Sequence, residues 1–205
     1  FALRHPGVAT APEYYQVEAN FLSNSAEELA LVAANGSDIE RFTYGDQFPW
    51  PPAPDGDGPS LVRIVPRLNT NPNDSLQWRA SSSAHGNPGT HDATLSLSKP
   101  DDDDDHDGLL NMVEYALGAG ALPGVENTLL AGVPLLELTI ERDPLAEASW
   151  EIESSSSLAN WVPATAMFSV VERTPLANGV ERITFRANSP AGTTQFLRSR
   201  IRVNP

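Results

Sequence analysis

The stretch DDDDDHDGLLNMVEYAL, residues 101–117, decides how the chain is organised. It begins with five consecutive aspartates and, after His106, a sixth, which are followed by a glycine, two leucines and, further on, a glutamate. A twelve-residue calcium loop supplies oxygen ligands from its positions 1, 3, 5, 7, 9 and 12. The residues at these positions, which we predict to be calcium ligands, are Asp103, Asp105, Asp107, Leu109, Asn111 and Glu114.

Two residues fix the register of this loop. A start at Asp103 puts Gly108 at position 6, where the backbone reverses sharply, and Glu114 at position 12. A start at Asp101 would put His106 and Met112 there instead. The alternative interpretation is a solvated acidic run, but such a run has no need of the glycine or the terminal glutamate.

The predicted ligands contribute different kinds of oxygen to the site. The three aspartates offer side-chain carboxylates, Leu109 offers its backbone carbonyl, and Asn111 acts directly or through a water molecule. Glu114 closes the loop with both carboxylate oxygens from the first turn of a following helix. In that helix Leu110, Val113 and Leu117 lie at helical spacing on one face, and Gly118 lies where a helix would end. His106 occupies position 4, which normally points to solvent, so we do not expect it to be a ligand.

The segment before the loop is not helical in pattern. ATLSLSKP, residues 93–100, alternates apolar and polar residues and ends in Pro100, which predicts a strand or extended chain. The loop therefore resembles the single calcium loops of extracellular modules such as dockerins and thrombospondin type-3 repeats. That resemblance implies a structural Ca²⁺ taken from the medium outside the cell, and not a calcium switch.

Composition narrows the class of protein. The 18 Pro and 14 Gly favour many short elements, so we expect an all-β chain. The net charge of -14 and the single lysine, Lys99, argue against nucleic acid or an anionic membrane as partner. No apolar run is long enough for a membrane helix, so no membrane insertion is predicted. The chain has no Cys, which excludes disulfides and thiolate metal sites.

The first part of the chain begins with a predicted hairpin. ELALVA, residues 28–33, and IERFTY, residues 39–44, alternate on either side of Asn35-Gly36. A strand LVRIV, residues 61–65, follows a turn rich in Gly and Pro. Residues 1–90 resemble the second half of a bacterial lamin tail domain through several short motifs in the same order: LSN-x-x-E-E-L, the Asn-Gly turn, the PWP stretch, the DGxGxSL turn and W-R-A-S. That family implies an immunoglobulin-like β-sandwich, here without its first strands.

The last part of the chain has the pattern of regular strands. Five segments, at residues 136–142, 149–155, 168–173, 180–187 and 195–203, predict a small antiparallel sandwich. On the last of them we expect Arg198, Arg200 and Arg202 to form a solvated face that pairs with Glu151 and Glu153. GLLNMVEYALG, residues 108–118, resembles the hinge before a C-terminal β-domain in large secreted proteins of planctomycete and verrucomicrobial type.

These observations predict two small antiparallel, immunoglobulin-like β-sandwiches joined by a calcium loop and one short helix. The expected divisions are residues 1–92 for a partial lamin-tail-like sandwich, 93–128 for the calcium-loop hinge with its helix, and 129–205 for a C-terminal sandwich. In this prediction the bound Ca²⁺ sets the angle between the two sandwiches.

No catalytic constellation is recognisable in the sequence. It contains no nucleophile elbow, zinc motif, phosphate-binding loop or dinucleotide motif, and His5, His85, His91 and His106 are scattered in loop-like sequence. A second cation near Asp55 and Asp57 is less expected than an ordinary Gly-Asp turn. Trp50 is a candidate stacking surface for a sugar ring, but a packing role is favoured. We therefore predict that the protein is not an enzyme.

Three hypotheses of function follow. The first is a non-enzymatic, calcium-stabilised extracellular module of a larger secreted or cell-surface protein, acting in structural support, adhesion or assembly through a protein partner or a neighbouring domain. The second is a carbohydrate-binding or accessory domain of a secreted hydrolase, with polysaccharide as partner. The third is an assembly subunit completed by strands from a partner chain.

Overall fold

The computed structural model describes residues 22–64, 70–90, 92, 97, 99–190 and 196–203. Within them the fold is all-β, built from small antiparallel sheets in sandwich-like units with a single α-helix, as predicted. The chain separates into two compact units, residues 1–94 and residues 95–205. The predictions for residues 1–20 and for most of 93–98, with His5 and His91, lie outside the described residues.

The described part of the first unit contains two pairs of antiparallel strands. Strand β1 (Ala26–Val32) pairs with β2 (Asp38–Gly45), and the turn between them contains Gly36 at φ 86°, which confirms the predicted hairpin. Strand β3 (Pro59–Arg63) pairs with β4 (Trp78–Ala84), which follows a 3-10 turn at Ser75–Gln77. The immunoglobulin-like topology of this unit stays a prediction.

Aromatic packing holds the interior of the first unit. Trp78 is buried, and its indole N–H donates to the carbonyl of Pro72 at 2.8 Å. Its ring lies 4.8 Å from that of Phe42 and 6.1 Å from that of Trp50, measured between centroids. A Cβ at Gly45 would come within 2.9 Å of the Trp50 indole, so glycine leaves room for this ring. Trp50 therefore has a packing role, as favoured from the sequence.

A buried ion pair adds to this unit. Arg79 on β4 is almost fully buried and pairs with Asp92, whose carboxylate also accepts from the backbone N–H and hydroxyl of Ser82. Burial alone would raise the pKa of Asp92, but Arg79 and Ser82 outweigh it and hold the pKa below its ordinary value. The carboxylate therefore remains charged inside the unit.

The second unit contains the α-helix and two sheets. Helix α1 spans Asn111–Leu117. The strands that follow are β5 (Gly124–Leu130), β6 (Val133–Arg142), β7 (Ala148–Ser155), β8 (Val162–Pro163), β9 (Phe168–Pro175), β10 (Glu181–Ala187) and β11 (Phe196–Val203). One sheet has the order β5-β6-β10-β9 and the other β11-β7-β8, all antiparallel.

Alternation along the strands of the second unit builds its core. Leu138 on β6 lies opposite Phe185 on β10, and Ile140 lies opposite Ile183, with all four side chains buried. Ile152 on β7 is 1% exposed. Burying one such side chain contributes about 1.5–3 kcal/mol, so these positions dominate the stability of the unit.

A buried ion cluster continues the row of inward side chains. Glu181 on β10 lies opposite Arg142 on β6, and its carboxylate accepts from the Arg142 Nε at 2.7 Å and from the Arg173 Nε at 2.9 Å. Burial alone would raise the pKa of Glu181, but the two guanidinium groups hold it below its ordinary value. This carboxylate is therefore ionised whenever the unit is folded near neutral pH.

The predicted charge pairing on the last strand is confirmed. Arg198 and Arg200 on β11 both pair with Glu153 on β7, and Arg202 pairs with Glu151. Hydrogen bonds from Arg198, followed by those from Arg200, lower the pKa of Glu153. The guanidinium of Arg198 also lies 4.4 Å from the centre of the Trp161 ring, which adds a cation–π contact.

The described second unit has two strands beyond the five predicted ones. Strand β5 is exposed on both faces, so GVENTLL lacks the alternation that marks a half-buried strand. Strand β8 has two residues, and one of them is Pro163. The five predicted segments lie in β6, β7, β9, β10 and β11. Strand β5 begins at Gly124, within the segment that the sequence assigns to the hinge.

Replacing Ala131 by Asn is expected to stabilise the second unit. Ala131 lies in the two-residue turn between β5 and β6 at φ 51°, a left-handed conformation that Asn adopts more readily than Ala. We expect the free energy of unfolding to rise by about 0.5–1 kcal/mol, measured by urea denaturation. Ala177→Asn, in a turn where φ is not positive, is the matched control and should give no such gain.

Replacing Glu181 by Gln is expected to destabilise the second unit by about 3–5 kcal/mol, because two buried guanidinium groups lose their carboxylate. Because folding lowers the pKa of Glu181, its carboxylate stabilises the folded unit fully at pH values above the ordinary pKa of 4.5. This stabilisation is lost as the pH falls through the lower pKa of the folded state. Urea denaturation between pH 7 and pH 3 should show this loss in the wild type and a flatter profile in the variant.

Glu141→Gln provides the comparison for this effect. Glu141 pairs with Arg182, whose side chain is 43% exposed, so solvent weakens that ion pair. Equal destabilisation by Glu141→Gln and Glu181→Gln would show that burial of the cluster is not what makes Glu181 important.

Candidate metal centre

The three predicted aspartate ligands converge in the structure. Asp103, Asp105 and Asp107 each place one carboxylate oxygen within 4.8 Å of the others, and in the described part of the chain they are the one group of three or more acidic, His or Cys side chains with this spacing. Oxygen-rich clusters of this kind suit a hard divalent cation such as Ca²⁺. The alternating positions read from the sequence therefore bring three of its candidate ligands together.

Backbone hydrogen bonds to these carboxylates curl the loop. Asp103 accepts from the N–H of His106 at 2.7 Å and from the N–H of Gly108 at 3.1 Å. Asp105 accepts from the N–H of Asp107 at 3.2 Å, and Asp107 accepts from the N–H of Leu109 at 2.8 Å. Because each carboxylate caps a turn of its own loop, the side chains point into the curve instead of away from it.

Gly108 permits the reversal at position 6. Its φ of 98° is rarely adopted by residues with a side chain, and a Cβ there would meet nothing within 4 Å. The need for glycine is therefore conformational and not steric. His106 precedes it at φ 64°, and its ring Nδ1 lies 2.7 Å from the carbonyl oxygen of Asp103.

Asn111 joins the two ends of the loop. Its Oδ1 accepts from the backbone N–H of Asp104 at 3.1 Å, and its Nδ2 donates to the carbonyl of Lys99 at 3.0 Å. Its own backbone N–H donates to the carbonyl of Asp102 at 2.8 Å. One lone pair of Oδ1 remains for a cation or a bridging water, so both modes of ligation predicted for Asn111 fit this arrangement.

Glu114 lies in the first turn of α1. Burial raises the pKa of its carboxyl above the ordinary value, and repulsion from Asp105, Asp107, Asp103 and Asp104 raises it further. The predicted closing ligand is therefore close enough to the aspartates to be affected by their charge, and a bound cation would relieve this repulsion. Of the six predicted ligands, the structure thus brings together the three aspartates, while Glu114 lies outside that group on the first turn of α1 and Asn111 spans the loop.

Helix α1 connects the loop to the core of the second unit. Tyr115 and Ala116 are buried in a cluster with Ala146 and Ala148, and Leu97 packs against it. The Tyr115 hydroxyl accepts from the N–H of Glu147 at 2.8 Å. The sequence pattern did not lead us to predict this role of Tyr115. The feature that could have indicated a buried anchor is an aromatic residue directly after the closing glutamate.

The three residues predicted to share one face of this helix differ in burial. Leu110 is 40% exposed because it lies before the first helical residue. Leu117 is buried and Val113 partly buried. Gly118 ends the helix at φ 56°, as predicted, and a Cβ there would lie 3.0 Å from Asp143.

The remaining candidate sites have less support. Asp55 and Asp57 form no group of three acidic or His side chains with metal spacing among the described residues. A cavity of about 490 Å³ in the first unit is lined by apolar side chains that include Leu29, Phe42 and Trp78, but not by Trp50. Trp50, the candidate stacking surface, is thus packed against Gly45 and Trp78 and does not line this cavity.

Comparison with known proteins gives no match among family models, curated proteins or solved structures. The resemblances to lamin tail domains and to calcium-loop hinges therefore stay predictions. Among the described helices, none has the length and apolar character needed to cross a membrane.

Neutralising Glu114 is expected to stabilise the calcium-free protein. With a chelator present, Glu114→Gln removes the carboxylate whose pKa is raised by burial and by the aspartates, so its melting temperature should exceed that of the wild type. A carboxyl group whose pKa is raised by folding destabilises the folded state when it is ionised. This destabilisation grows as the pH rises from the ordinary pKa through the raised pKa of the folded state. Calorimetry in chelator at pH 5 and pH 8 should show a larger gain at pH 8.

Proposed function

We propose that the protein is a non-enzymatic, calcium-stabilised extracellular module of a larger secreted or cell-surface protein. In this proposal Ca²⁺ is a structural ion that holds the loop and the helix in place, and the module acts in structural support, adhesion or assembly. The observation that carries the proposal is the convergence of Asp103, Asp105 and Asp107 within 4.8 Å, with Glu114 on the following helix turn.

The donor set fits calcium better than other common cations. Every predicted ligand offers oxygen, whereas zinc sites in proteins usually contain imidazole or thiolate. The chain has no Cys, and the ring Nδ1 of His106 contacts a backbone carbonyl. Mg²⁺ favours fewer protein ligands and retains more water, so a long loop ending in a glutamate is better suited to the larger ion.

The attachment of the loop to the second unit supports a structural role for the ion. Glu114, the predicted closing ligand, directly precedes Tyr115 and Ala116 in α1, which are buried in the core of that unit. The carbonyl of Ala116 accepts from the N–H of Asp143 at 3.0 Å, where β6 has just ended. An ion that orders the loop would therefore stabilise the helix and the sheet end to which it is attached.

The charge of the loop supports the same role. In the absence of a cation the carboxylates of the loop repel one another, as the raised pKa of Glu114 indicates. Binding of Ca²⁺ to the folded loop removes that repulsion and shifts the folding equilibrium in proportion to the affinity and the free ion concentration.

The deciding experiment is thermal unfolding with calcium and with chelator. We expect Ca²⁺ to raise the melting temperature of the wild type. At a free Ca²⁺ concentration one hundred times the dissociation constant, the free energy of unfolding should rise by about 2.7 kcal/mol. In Glu114→Gln this gain should be lost or strongly reduced, because the bidentate ligand is gone. The effect of Glu114→Gln thus changes sign, from stabilising in chelator to destabilising relative to the wild type in calcium.

Asp104→Asn is the matched control. Asp104 is an exposed aspartate of the same loop but occupies position 2, which supplies no ligand. It removes the same charge as Glu114→Gln and should retain most of the calcium gain. An equal loss of the gain in both variants, or no gain in the wild type, would contradict a specific calcium site.

A further inference from the structure

Strand β5 forms one edge of the four-stranded sheet. In the sheet order β5-β6-β10-β9 it is terminal, and none of the other described strands pairs with its outer side. Apart from Thr128, each residue of Gly124–Leu130 is exposed. A long exposed edge of this kind has unpaired backbone N–H and C=O groups and is a ready template for another strand.

The other described edges of the second unit carry protection that β5 lacks. Strand β11 carries three arginines, β8 has only two residues, and β9 contains charged residues and ends in Pro175, with a register shift against β10. Strand β5 pairs with β6 along all seven of its residues without a shift. It contains no Pro, Lys or Arg, and Glu126 is its one charged residue.

The outward hydrogen-bonding groups of β5 follow from its turn. Leu130 pairs with Val133 across the two residues Ala131 and Gly132, and a two-residue turn closes with a hydrogen-bonded pair. Leu130, and every second residue before it, therefore directs its backbone groups toward β6. The backbone groups of Val125, Asn127 and Leu129 are directed outward, available to a further strand.

From this edge we infer that β5 pairs antiparallel with β5 of a second copy of the chain, around a two-fold axis at Asn127. This register makes Asn127 and its counterpart a hydrogen-bonded pair, which matches the outward direction of its backbone groups. Val125 then lies opposite the partner's Leu129, and Glu126 lies opposite the partner's Thr128.

The strand is complementary to itself in this register. Val125 and Leu129 are 50% and 72% exposed, and the pairing places them against each other on one face, twice by symmetry. No like charges face each other, because each Glu126 meets a threonine. The contact of two seven-residue strands is smaller than the interface of a stable dimer, so we expect a weak, concentration-dependent homodimer.

Two substitutions at Thr128 test this register. Thr128→Glu would place a glutamate opposite each Glu126, and Thr128→Lys would place a lysine there. With two symmetric pairs, the dimer dissociation constant should rise about 2- to 30-fold in Thr128→Glu and fall by a similar factor in Thr128→Lys. Sedimentation equilibrium on the full chain, from about 5 to 500 µM, measures all three proteins.

Disulfide cross-linking provides a second measurement, which can detect the pairing even if the substitution weakens the dimer. The chain has no Cys, so Asn127→Cys introduces a single thiol at the axis. Cα atoms of a hydrogen-bonded antiparallel pair lie about 5.5 Å apart, within the range that a disulfide spans. Val162→Cys, at an exposed apolar residue on the edge strand β8, is the control. Under mild oxidation the first variant should form a covalent dimer much faster than the second.

The results of these two experiments either support or overturn the proposed strand pairing. Opposite shifts for the two Thr128 variants together with rapid cross-linking at residue 127 support the proposed pairing. A wild-type chain that stays monomeric over the whole concentration range overturns it. A dimer that responds equally to both Thr128 variants, or that cross-links as readily through residue 162, is formed through another surface and also overturns it. Circular dichroism of each variant verifies that the sheets are intact.

Discussion

The convergence of three carboxylates in the loop that precedes α1 is the constraint from which the arrangement of the candidate metal centre follows. Asp103, Asp105 and Asp107 curl inward because each caps a backbone turn, and their charge raises the pKa of Glu114, which burial has already raised, on the following helix turn. Since the next residues of that helix are buried in the core, the electrostatics of the loop and the packing of the unit cannot be separated. A cation that neutralises the loop would act on the whole unit.

Charge is organised differently elsewhere in the same unit. Glu181 is buried between Arg142 and Arg173, whereas Glu137 and Glu141 pair with arginines on the more exposed face of the sheet. These three strand carboxylates are thus neutralised by arginine. The loop at residues 101–107 has Lys99 as its one basic partner among the described residues, paired with Asp102. This contrast supports the proposal that Ca²⁺ is the counter-charge of the loop.

Much of the fold followed from local patterns in the sequence. Asn35-Gly36 specified the first hairpin because its turn needs a positive φ, and alternation in β6 and β10 specified the inward rows that contain Ile140 and Ile183. Strand β5 was missed because its edge position leaves both faces exposed and removes the alternation. Helical spacing placed Leu110 on one face with Leu117, but spacing alone does not show that Leu110 precedes the first turn and is exposed.

The sequence by itself determined the register of the acidic loop, since only one frame puts glycine at position 6 and glutamate at position 12. It also determined that the chain would be all-β, through its short alternating segments and many turn residues. Only the tertiary structure decided that Tyr115 anchors the helix, that Glu181 is held between two arginines, and that β5 is left as an open edge. These features depend on which strands become neighbours, and such long-range pairing is not encoded in any single segment.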